Sequence, residues 1–188
     1  MRIIGGKYRG KKLITPSSNH IRPTTDRMRE SLFNILEHGT GPGIIGSRIL
    51  DLYAGSGALG IEALSRGAAD VTFVDNDRKS ISLIKQNTAL INSPENTSNV
   101  IMDGLQFINN GSPYDLIFLD PPYYKEMIGP TLKSIERQKM LATEGCVIIE
   151  YASDEKIDFT DHFKELKSRK MGDATFSILA YNASTSPE

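Results

Sequence analysis

The chain has 188 residues, with 22 basic and 23 acidic side chains, one cysteine and 39% hydrophobic residues. A chain of this length can bury one substantial core, so it needs neither disulfides nor a metal to fold. The single Cys146 excludes an intrachain disulfide framework, and no apolar run approaches the roughly 20 residues that cross a bilayer. The first residues also lack the apolar segment of a secretory signal. We therefore expect a cytoplasmic protein rather than a membrane-spanning or secreted one.

Positive charge is concentrated in the N-terminal part of the chain. Residues 1–30 carry eight basic and two acidic side chains, whereas residues 31–188 carry 14 basic and 21 acidic ones. Such segregation fits a segment that binds the phosphates of a nucleic acid, and it fits an ordinary solvated basic surface equally well. Tyr8 is able either to stack on a base or to pack inside the fold. The residues predicted to contact a nucleic acid are Arg2, Lys7, Tyr8, Arg9, Lys11, Lys12, Arg22 and Arg27.

The same N-terminal part predicts a hairpin followed by a helix. Residues 2–4 and 11–14 are able to form two short strands around the turn-rich GGKYRG segment. A helix follows the capping candidates of residues 24–26, because its apolar residues recur at i, i+4, i+7 and i+8. The sequence leaves open whether the hairpin is an independent arm or packs on the core.

Strands and helices alternate from residue 48 onward. The predicted strands cover residues 48–52, 71–74, 100–102, 114–119 and 146–149, and the predicted helices cover residues 58–66, 79–90, 104–108 and 128–137. Apolar strands joined by helices are typical of a parallel, doubly wound sheet. Residues 166–171 and 175–181 then predict an antiparallel hairpin around Gly172-Asp173. The expected division is a basic arm of residues 1–22, a domain of residues 23–181 and a frayed tail of residues 182–188.

A glycine-rich loop lies between the first strand of this alternation and its helix. Gly55, Gly57 and Gly60 form the pattern G-x-G-x-x-G, which lets a cofactor approach the backbone at a helix N-terminus. Asp75 ends the next strand 20 residues after Gly55, where an acid is able to bind two ribose hydroxyls. The pattern therefore predicts a nucleotide-type cofactor site, and a tight turn without a ligand is the alternative.

The acids near this loop indicate which cofactor it binds. Asp51 precedes Gly55 by four residues, and an acid there is unfavourable beside the pyrophosphate of a dinucleotide. It suits S-adenosylmethionine, which carries an ammonium and a sulfonium but no phosphate. Asp103 follows the third strand and either accepts a hydrogen bond from the adenine amine or caps the next helix. Tyr53, two residues after Asp51, is also among the predicted cofactor contacts.

A DPPY box, Asp120-Pro121-Pro122-Tyr123, follows the apolar strand of residues 114–119. The prolines stiffen the backbone and remove two N–H donors, which leaves carbonyls available to a ligand. Asp120 and the carbonyl of Pro121 are able to accept the two hydrogens of an exocyclic base amine, while Tyr123 stacks on the base. The amine lone pair is then aimed at a methyl carbon, which predicts a methyl-transfer site that acts by positioning. A stiffened turn with Asp120 as a cap is the alternative.

Five segments carry a resemblance to a known family. They are Met1–Leu13, Arg22–Leu36, Asp51–Ala68, Val74–Asp77 and Asp120–Tyr123. Together they resemble the bacterial 16S ribosomal RNA guanine-N2 methyltransferases of the small-subunit methyltransferase D type. DNA and RNA amino-methyltransferases share the DPPY box, and most methyltransferases share the glycine loop. The motif RPTTDR-x-RE and the basic N-terminal segment are the narrower signature.

The resemblance implies a class I S-adenosylmethionine-dependent methyltransferase fold, which is Rossmann-like with seven mostly parallel strands and a C-terminal antiparallel hairpin. It implies methylation of the N2 amine of guanine 966 in 16S rRNA during small-subunit assembly. By position it puts Asp75 at the ribose, Asp103 at the adenine and Asp120–Tyr123 at the target amine. The basic arm would then bind 16S rRNA within a 30S assembly particle. We expect a monomer that uses no metal.

Other functions remain open from the residues themselves. A DNA adenine or cytosine amino-methyltransferase shares the DPPY box, but it usually needs a separate target-recognition domain. An NAD-dependent oxidoreductase shares the glycine loop, but Asp51 and the DPPY box disfavour it. A non-catalytic RNA-binding assembly factor that keeps a cofactor pocket is the third alternative. Glu150 and Tyr151 end a strand at the ligand-binding edge and are able to line the pocket.

Overall fold

The computed structural model describes residues 1–15, 25–92, 95–108 and 112–182 of the chain. Arg22, which is one of the predicted nucleic-acid contacts, lies outside the described residues. The first part of the RPTTDR-x-RE motif and most of the predicted frayed tail also lie outside them. None of the helices within these ranges is both long and apolar enough to cross a membrane.

Helices and strands alternate along the described chain. Helices α1 to α5 cover Asp26–Glu37, Ala58–Ser65, Arg78–Leu90, Gly104–Phe107 and Ile128–Arg137. Strands β1 to β7 cover Arg48–Leu52, Asp70–Asp75, Thr97–Ile101, Tyr114–Leu119, Leu141–Ala152, Phe163–Met171 and Ala174–Tyr181. The strands form one sheet in the order β3-β2-β1-β4-β5-β7-β6. Strands β1 to β5 are parallel, and β7 runs antiparallel to both of its neighbours. This arrangement confirms the predicted doubly wound sheet and its C-terminal hairpin.

The strand order reverses between β1 and β4, and this reversal positions the functional site. After β1 the chain crosses one face of the sheet through α2. After β4 it crosses the other face through α5. The alternation along β1 shows these two faces, because Ile49 packs in one core cluster and Leu50 in the other. Helices α1, α2 and α3 cover the first cluster, and α5 covers the second. A crevice therefore opens at the carboxyl ends of β1 and β4.

The predicted bounds of β1, β4 and α5 coincide with the structure. Strand β3, however, begins at Thr97 and ends at Ile101, so the predicted start of this strand at residue 100 is wrong. The reason is that β3 lies at the edge of the sheet, where polar side chains such as Ser98 remain in solvent. Strand β5 is also longer than predicted, because its first residues include the exposed Glu144, which breaks the apolar pattern.

Helix α1 begins where the capping candidates predict. The side chain of Thr25 accepts a hydrogen bond from the backbone N–H of Met28 at 3.2 Å. This contact satisfies one of the four N–H groups that a helix start leaves without an intrahelical partner. Leu32 and Leu36 are buried on the apolar stripe, and the ring of Phe33 packs 5.9 Å from that of Phe118 in β4. Helix α1 is thereby packed on the sheet.

The N-terminal hairpin is shorter than predicted. A single antiparallel bridge joins Arg2 to Lys12, and the backbone N–H of Ile3 donates to Lys11 at 2.9 Å. Two full strands do not form, because the next backbone N–H groups, those of Ile4 and Gly5, donate to the side chain of Glu62 in α2. Ile3 and Leu13 are buried in the same cluster as α1 and α2. The hairpin is thus packed on the core in the structure.

A buried carboxylate anchors the hairpin. Glu62 in α2 is 1% exposed and accepts backbone N–H groups of Ile4 at 2.8 Å and Gly5 at 2.7 Å. Its charge is balanced by Arg66, whose Nε lies 2.8 Å from Glu62 Oε1. Arg66 also binds Glu37 of α1 at 2.8 Å. One ion-pair network therefore joins the hairpin, α1 and α2.

Candidate active site

A cavity of about 870 Å³ lies at the carboxyl ends of β1, β2 and β4. This volume falls in the range of small-molecule sites, and the position is the one where open α/β sheets bind ligands. The predicted site residues that line it are Asp51, Tyr53, Gly55, Asp75, Asp120, Pro121, Pro122 and Tyr123. The structure therefore brings the glycine loop and the DPPY box to one space.

Asp75 organises the loops on the glycine-rich side of this cavity. Its Oδ2 accepts the backbone N–H of Gly55 at 2.8 Å, and its Oδ1 accepts that of Asp77 at 2.8 Å. Gly55 adopts a φ of +53°, a left-handed conformation that favours glycine. Each carboxylate oxygen has a second lone pair, so Asp75 is still able to accept hydroxyl groups from a ligand. Its contact with a ribose remains a prediction.

Gly57 and Gly60 support the loop by close packing. Gly57 precedes α2 at a φ of +75°, and a Cβ there would lie 2.9 Å from Ile84 Cγ1. A Cβ at Gly60 would lie 2.4 Å from the ring of Phe73 in β2. These two glycines were predicted as cofactor contacts, and the structure gives them a role in holding α2 against the sheet.

Asp51 is the most buried acid of the cavity, with 2% exposure. Its Oδ2 accepts the backbone N–H of Gly60 at 2.9 Å. Burial raises the pKa of Asp51 to about 7, and the charge of Asp75 adds to this effect while the Gly60 hydrogen bond opposes it. The carboxyl therefore titrates near neutral pH. A bound cation would favour its ionised form.

Burial and neighbouring charges also act on an acid of the DPPY box. Burial raises the pKa of Asp120 well above its ordinary value, and the charges of Glu150 and Asp51 raise it further. The hydroxyl of Tyr123 donates to Glu150 Oε1 at 3.0 Å. Glu150 thus fixes the aromatic ring of the DPPY box and adds negative charge to the site. The sequence indicated Glu150 only as a residue at the correct end of a strand.

Tyr53 forms a wall of the cavity. It adopts a φ of +64°, and its hydroxyl shares a 3.0 Å hydrogen bond with Thr131 Oγ1 in α5. Burial raises the pKa of Tyr53, so the phenol stays neutral near pH 7. A Cβ added to Gly104 would lie 2.8 Å from the ring of Tyr53. The absence of a side chain at Gly104 therefore allows the ring to take this position.

Asp103 caps helix α4. Its Oδ1 accepts the backbone N–H groups of Leu105 at 3.0 Å and Gln106 at 3.2 Å. The structure thus confirms the capping alternative for Asp103. Its contact with an adenine remains a prediction, and Gly104, the next residue, does line the cavity.

Several cavity residues carry no clear signal in the sequence. Lys125 and Met127, which follow the DPPY box, and Ser80 of α3 line the cavity. Lys125 brings a positive charge to a site otherwise rich in acids. Such residues belong to no recognisable motif, and the strand pattern alone does not place them. In the described ranges, no group of three or more His, Cys, Asp and Glu side chains is arranged to hold a metal ion.

The predicted nucleic-acid contacts fall into two groups. Arg2, Arg9 and Arg27 line a second cavity of about 350 Å³ together with Asp26 and Glu30. The Nε of Arg2 lies 3.4 Å from Asp26 Oδ2, so part of this positive charge is already balanced. The arrangement brings Arg27 of α1 close to two arginines of the N-terminal hairpin. Their contact with a nucleic acid remains a prediction.

The second group lies along the hairpin. Lys7 Nζ lies 5.2 Å from the centre of the Tyr8 ring, which is partly buried against the core. The side chain of Lys11 donates to the carbonyl of Leu90 at the end of α3. Lys12 is exposed. Tyr8 therefore combines hairpin packing with a basic neighbour, and its role in stacking stays a prediction.

Comparison with known proteins identifies the family to which this chain belongs. The model of the family described as Conserved hypothetical protein 95 matches residues 1–180. Ribosomal RNA small subunit methyltransferase D of Escherichia coli strain K12 is 40% identical over 151 residues, which cover 80% of this chain and 74% of that protein. The protein of the same name from Haemophilus influenzae is 32% identical over 182 residues, with coverage of 95% and 92%.

Solved structures agree with the sequence relatives. The structure of yhhF from Escherichia coli has a TM-score of 0.84 at 34% identity and covers 97% of this chain and 98% of that one. The match therefore includes the N-terminal hairpin region and the C-terminal antiparallel strands as well as the parallel core. The chain belongs to the Conserved hypothetical protein 95 family, together with the ribosomal RNA small subunit methyltransferase D proteins, and is a methyltransferase of the class I, Rossmann-like fold.

Proposed function

We propose that this chain transfers a methyl group from S-adenosylmethionine to the N2 amine of guanine 966 in 16S rRNA, within a 30S assembly particle. One observation carries the proposal: a single cavity is lined by Gly55 and Asp75 on one side and by the DPPY box on the other. A methyl donor and an amine would meet there. The named relatives support ribosomal RNA as the substrate. The choice of guanine and its N2 amine rests on the family resemblance of the motifs.

The acids of the cavity fit a positively charged methyl donor. Asp51 is buried and titrates near neutral pH, so a cation beside it would relieve the cost of its ionisation. Asp75 has free lone pairs for ribose hydroxyls, and Tyr53 offers an aromatic wall. The pyrophosphate of a dinucleotide would instead meet these negative charges. S-adenosylmethionine, when bound, supplies an electrophilic methyl group on its sulfonium.

The DPPY box would hold the target amine. Pro121 and Pro122 have no N–H groups, so their loop carbonyls lack a local donor. Asp120 and the carbonyl of Pro121 accept the two amine hydrogens, and Tyr123, held by Glu150, stacks on the base. This positioning aims the nitrogen lone pair at the methyl carbon. It requires neither a covalent intermediate nor a metal.

The raised pKa of Asp120 suits a role in proton transfer. In the free protein, burial and then the charges of Glu150 and Asp51 raise the pKa of its carboxyl. The positive charge of a bound donor would lower that pKa and so favour the ionised form of Asp120. After transfer, the methylated amine carries an extra proton, which the Asp120 carboxylate would accept.

The cavity lies at the carboxyl ends of the strands, so a guanine must leave its base stack to enter it. Basic residues of the hairpin and α1 would hold the RNA backbone and carry little base information. We propose that the protein works as a monomer, in the cytoplasm, where its ribosomal substrate is assembled. The contacts of the arm position the substrate, and the cavity selects the amine.

The experiment that tests this function compares substrates for one labelled donor. The protein is incubated with S-adenosylmethionine labelled in its methyl group and with 30S particles lacking the modification, naked 16S rRNA, or duplex DNA. We expect label in ribosomal RNA, and calorimetry should show that NAD does not compete for the cofactor site. Label in DNA alone would favour a DNA amino-methyltransferase. RNA binding and cofactor binding without any transfer would favour a non-catalytic assembly factor.

A further inference from the structure

Tyr124 is an exposed aromatic residue beside the active-site cavity. It follows Tyr123 and precedes Lys125, and both of these neighbours line the cavity. Tyr124 itself is 63% exposed, although large apolar rings are usually buried in a fold of this size. Its exposed ring therefore belongs to the loop that borders the cavity on the side of the DPPY box.

The backbone of this loop is strained. Tyr124 adopts a φ of +57° and Glu126 a φ of +51°, although neither is a glycine. A bulky residue in this region is an outlier, and such conformations persist only where the surrounding structure holds them. Strain of this kind is concentrated at functional sites, so the conformation of Tyr124 points to a role that a relaxed loop would not serve.

The exposed ring is also held in place. The hydroxyl of Tyr124 donates to Asp154 Oδ1, just beyond β5, at 2.8 Å. Its ring meets that of Tyr123 edge-on, with 6.4 Å between centroids and an angle of 89°. Tyr123 is in turn fixed by Glu150. Tyr124 is thus an ordered aromatic ring, perpendicular to the ring that we assign to the target base.

We propose that Tyr124 stacks on the nucleotide next to the target base. The inference rests on the proposed function, because it needs an RNA substrate. When a base leaves its stack and enters the cavity, its neighbour loses a stacking partner. An aromatic ring fixed beside the cavity replaces that partner at little entropic cost, since it is already ordered. Stacking on aromatic rings is the usual way in which proteins bind unstacked RNA bases.

Variants that separate the ring from its tether test this proposal. Tyr124→Ala removes the ring, Tyr124→Phe keeps the ring but removes the hydroxyl, and Asp154→Ala removes the partner of that hydroxyl. We expect Tyr124→Ala to raise the KM for RNA about tenfold or more. The cofactor Kd should stay near the wild-type value. Tyr124→Phe and Asp154→Ala should retain most of the RNA affinity, because both keep the stacking face.

Leu166 provides a matched control, because it is a large apolar residue exposed on β6, at the far edge of the sheet. Leu166→Ala should leave the KM for RNA unchanged. Thermal melts of every variant show whether the fold is retained. If Tyr124→Ala melts early, Tyr124→Leu tests the same point with an apolar side chain of similar bulk and no aromatic face. An unchanged KM in a folded variant that lacks the ring would overturn the proposal.

A spectroscopic measurement reports the stacking directly. An RNA carrying 2-aminopurine at the nucleotide next to the target should lose fluorescence on binding to the wild-type protein, and less on binding to Tyr124→Ala. Equal quenching by both proteins would contradict the inference. The proposed function is judged separately, by whether the wild-type protein methylates the unmodified RNA. If the wild type transfers the methyl group but both proteins quench the fluorescence equally, the proposed role of Tyr124 is wrong and the proposed function stands.

Discussion

Oδ2 of Asp51 accepts a hydrogen bond from the backbone N–H of Gly60 across 2.9 Å, which joins the end of β1 to the first turns of α2. The contact explains how one acid serves both the fold and the site. One oxygen holds the glycine loop in register, while the side chain still lines the cavity. Because this carboxyl is buried, its charge state is linked to the binding of a positively charged ligand.

Binding of S-adenosylmethionine should therefore depend on pH. The pKa of Asp51 lies at about 7 in the free protein, so the carboxyl is mostly protonated at pH 6 and mostly ionised at pH 8. Since the ionised form attracts the cationic ligand, affinity should rise over this interval, and binding near pH 7 should release protons. Calorimetry in two buffers with different ionisation enthalpies measures that release.

The matched variant for this pH prediction is Asp51→Asn, which keeps the shape and one acceptor oxygen but cannot ionise. Its affinity for the donor should be lower than that of the wild type at pH 8. Its remaining pH dependence should also be weaker. An affinity of the wild type that stays constant between pH 6 and pH 8 would show that Asp51 does not titrate with the ligand.

Substitution at Asp120 should affect transfer more than cofactor binding. Asp120→Ala removes an acceptor for the target amine, so we expect the transfer rate to fall by about 10²–10⁴-fold. Asp120→Asn keeps one acceptor oxygen and removes the charge, which separates positioning from proton acceptance. Single-turnover rates and calorimetry on the same preparations provide both quantities. Near-wild-type rates in both variants would show that another group holds the amine.

Loss of the Glu62 carboxylate should loosen the N-terminal hairpin. Glu62→Ala would leave two backbone N–H groups and Arg66 without their buried partner, at a cost of about 3 kcal/mol in unfolding free energy. Glu37 still binds Arg66, which limits the loss. Denaturant titration measures the stability, and limited proteolysis should cut the hairpin first. Wild-type stability and protease resistance would contradict the anchoring role.

The basic surface of the hairpin can be tested without removing the hairpin. Ile3 and Leu13 belong to the core, so deletion of residues 1–14 is expected to destabilise the fold. The double variant Arg9→Ala and Lys12→Ala changes two exposed side chains instead. If both contact phosphates, the slope of log affinity against log salt should fall by about 1.4 on a single-strand estimate. An unchanged slope in a folded protein would show that this charge is only a solvated surface.

The parts of the fold that the sequence predicted are those with strong local signals. The buried run of β4 and the apolar stripe of α1 each identify an element, because burial on one face leaves a periodic pattern. Strand β3 was misplaced at its start, since an edge strand tolerates polar residues such as Ser98. The length of the N-terminal hairpin was also misjudged, because its backbone hydrogen bonds go to Glu62, far away in sequence.

The sequence likewise predicted some features of the candidate site and missed others. Motif spacing brought Gly55, Asp75 and the DPPY box together correctly, because parallel strands end at one edge. The sequence does not show why residue 60 must be a glycine, because that requirement comes from the ring of Phe73 in a neighbouring strand. The contact between Tyr123 and Glu150 likewise depends on the pairing of β4 with β5. Such pairs follow from tertiary packing rather than from local patterns.

The identity of the methylated nucleoside tests the central claim most directly. Methyl-labelled S-adenosylmethionine is incubated with 30S particles that lack the modification, and the 16S rRNA is digested and mapped by mass spectrometry. The wild-type protein should produce N2-methylguanosine in the fragment that contains guanine 966, and Asp120→Ala should produce little or none. Label on adenine or at another position, or equal labelling by the variant, would contradict the account.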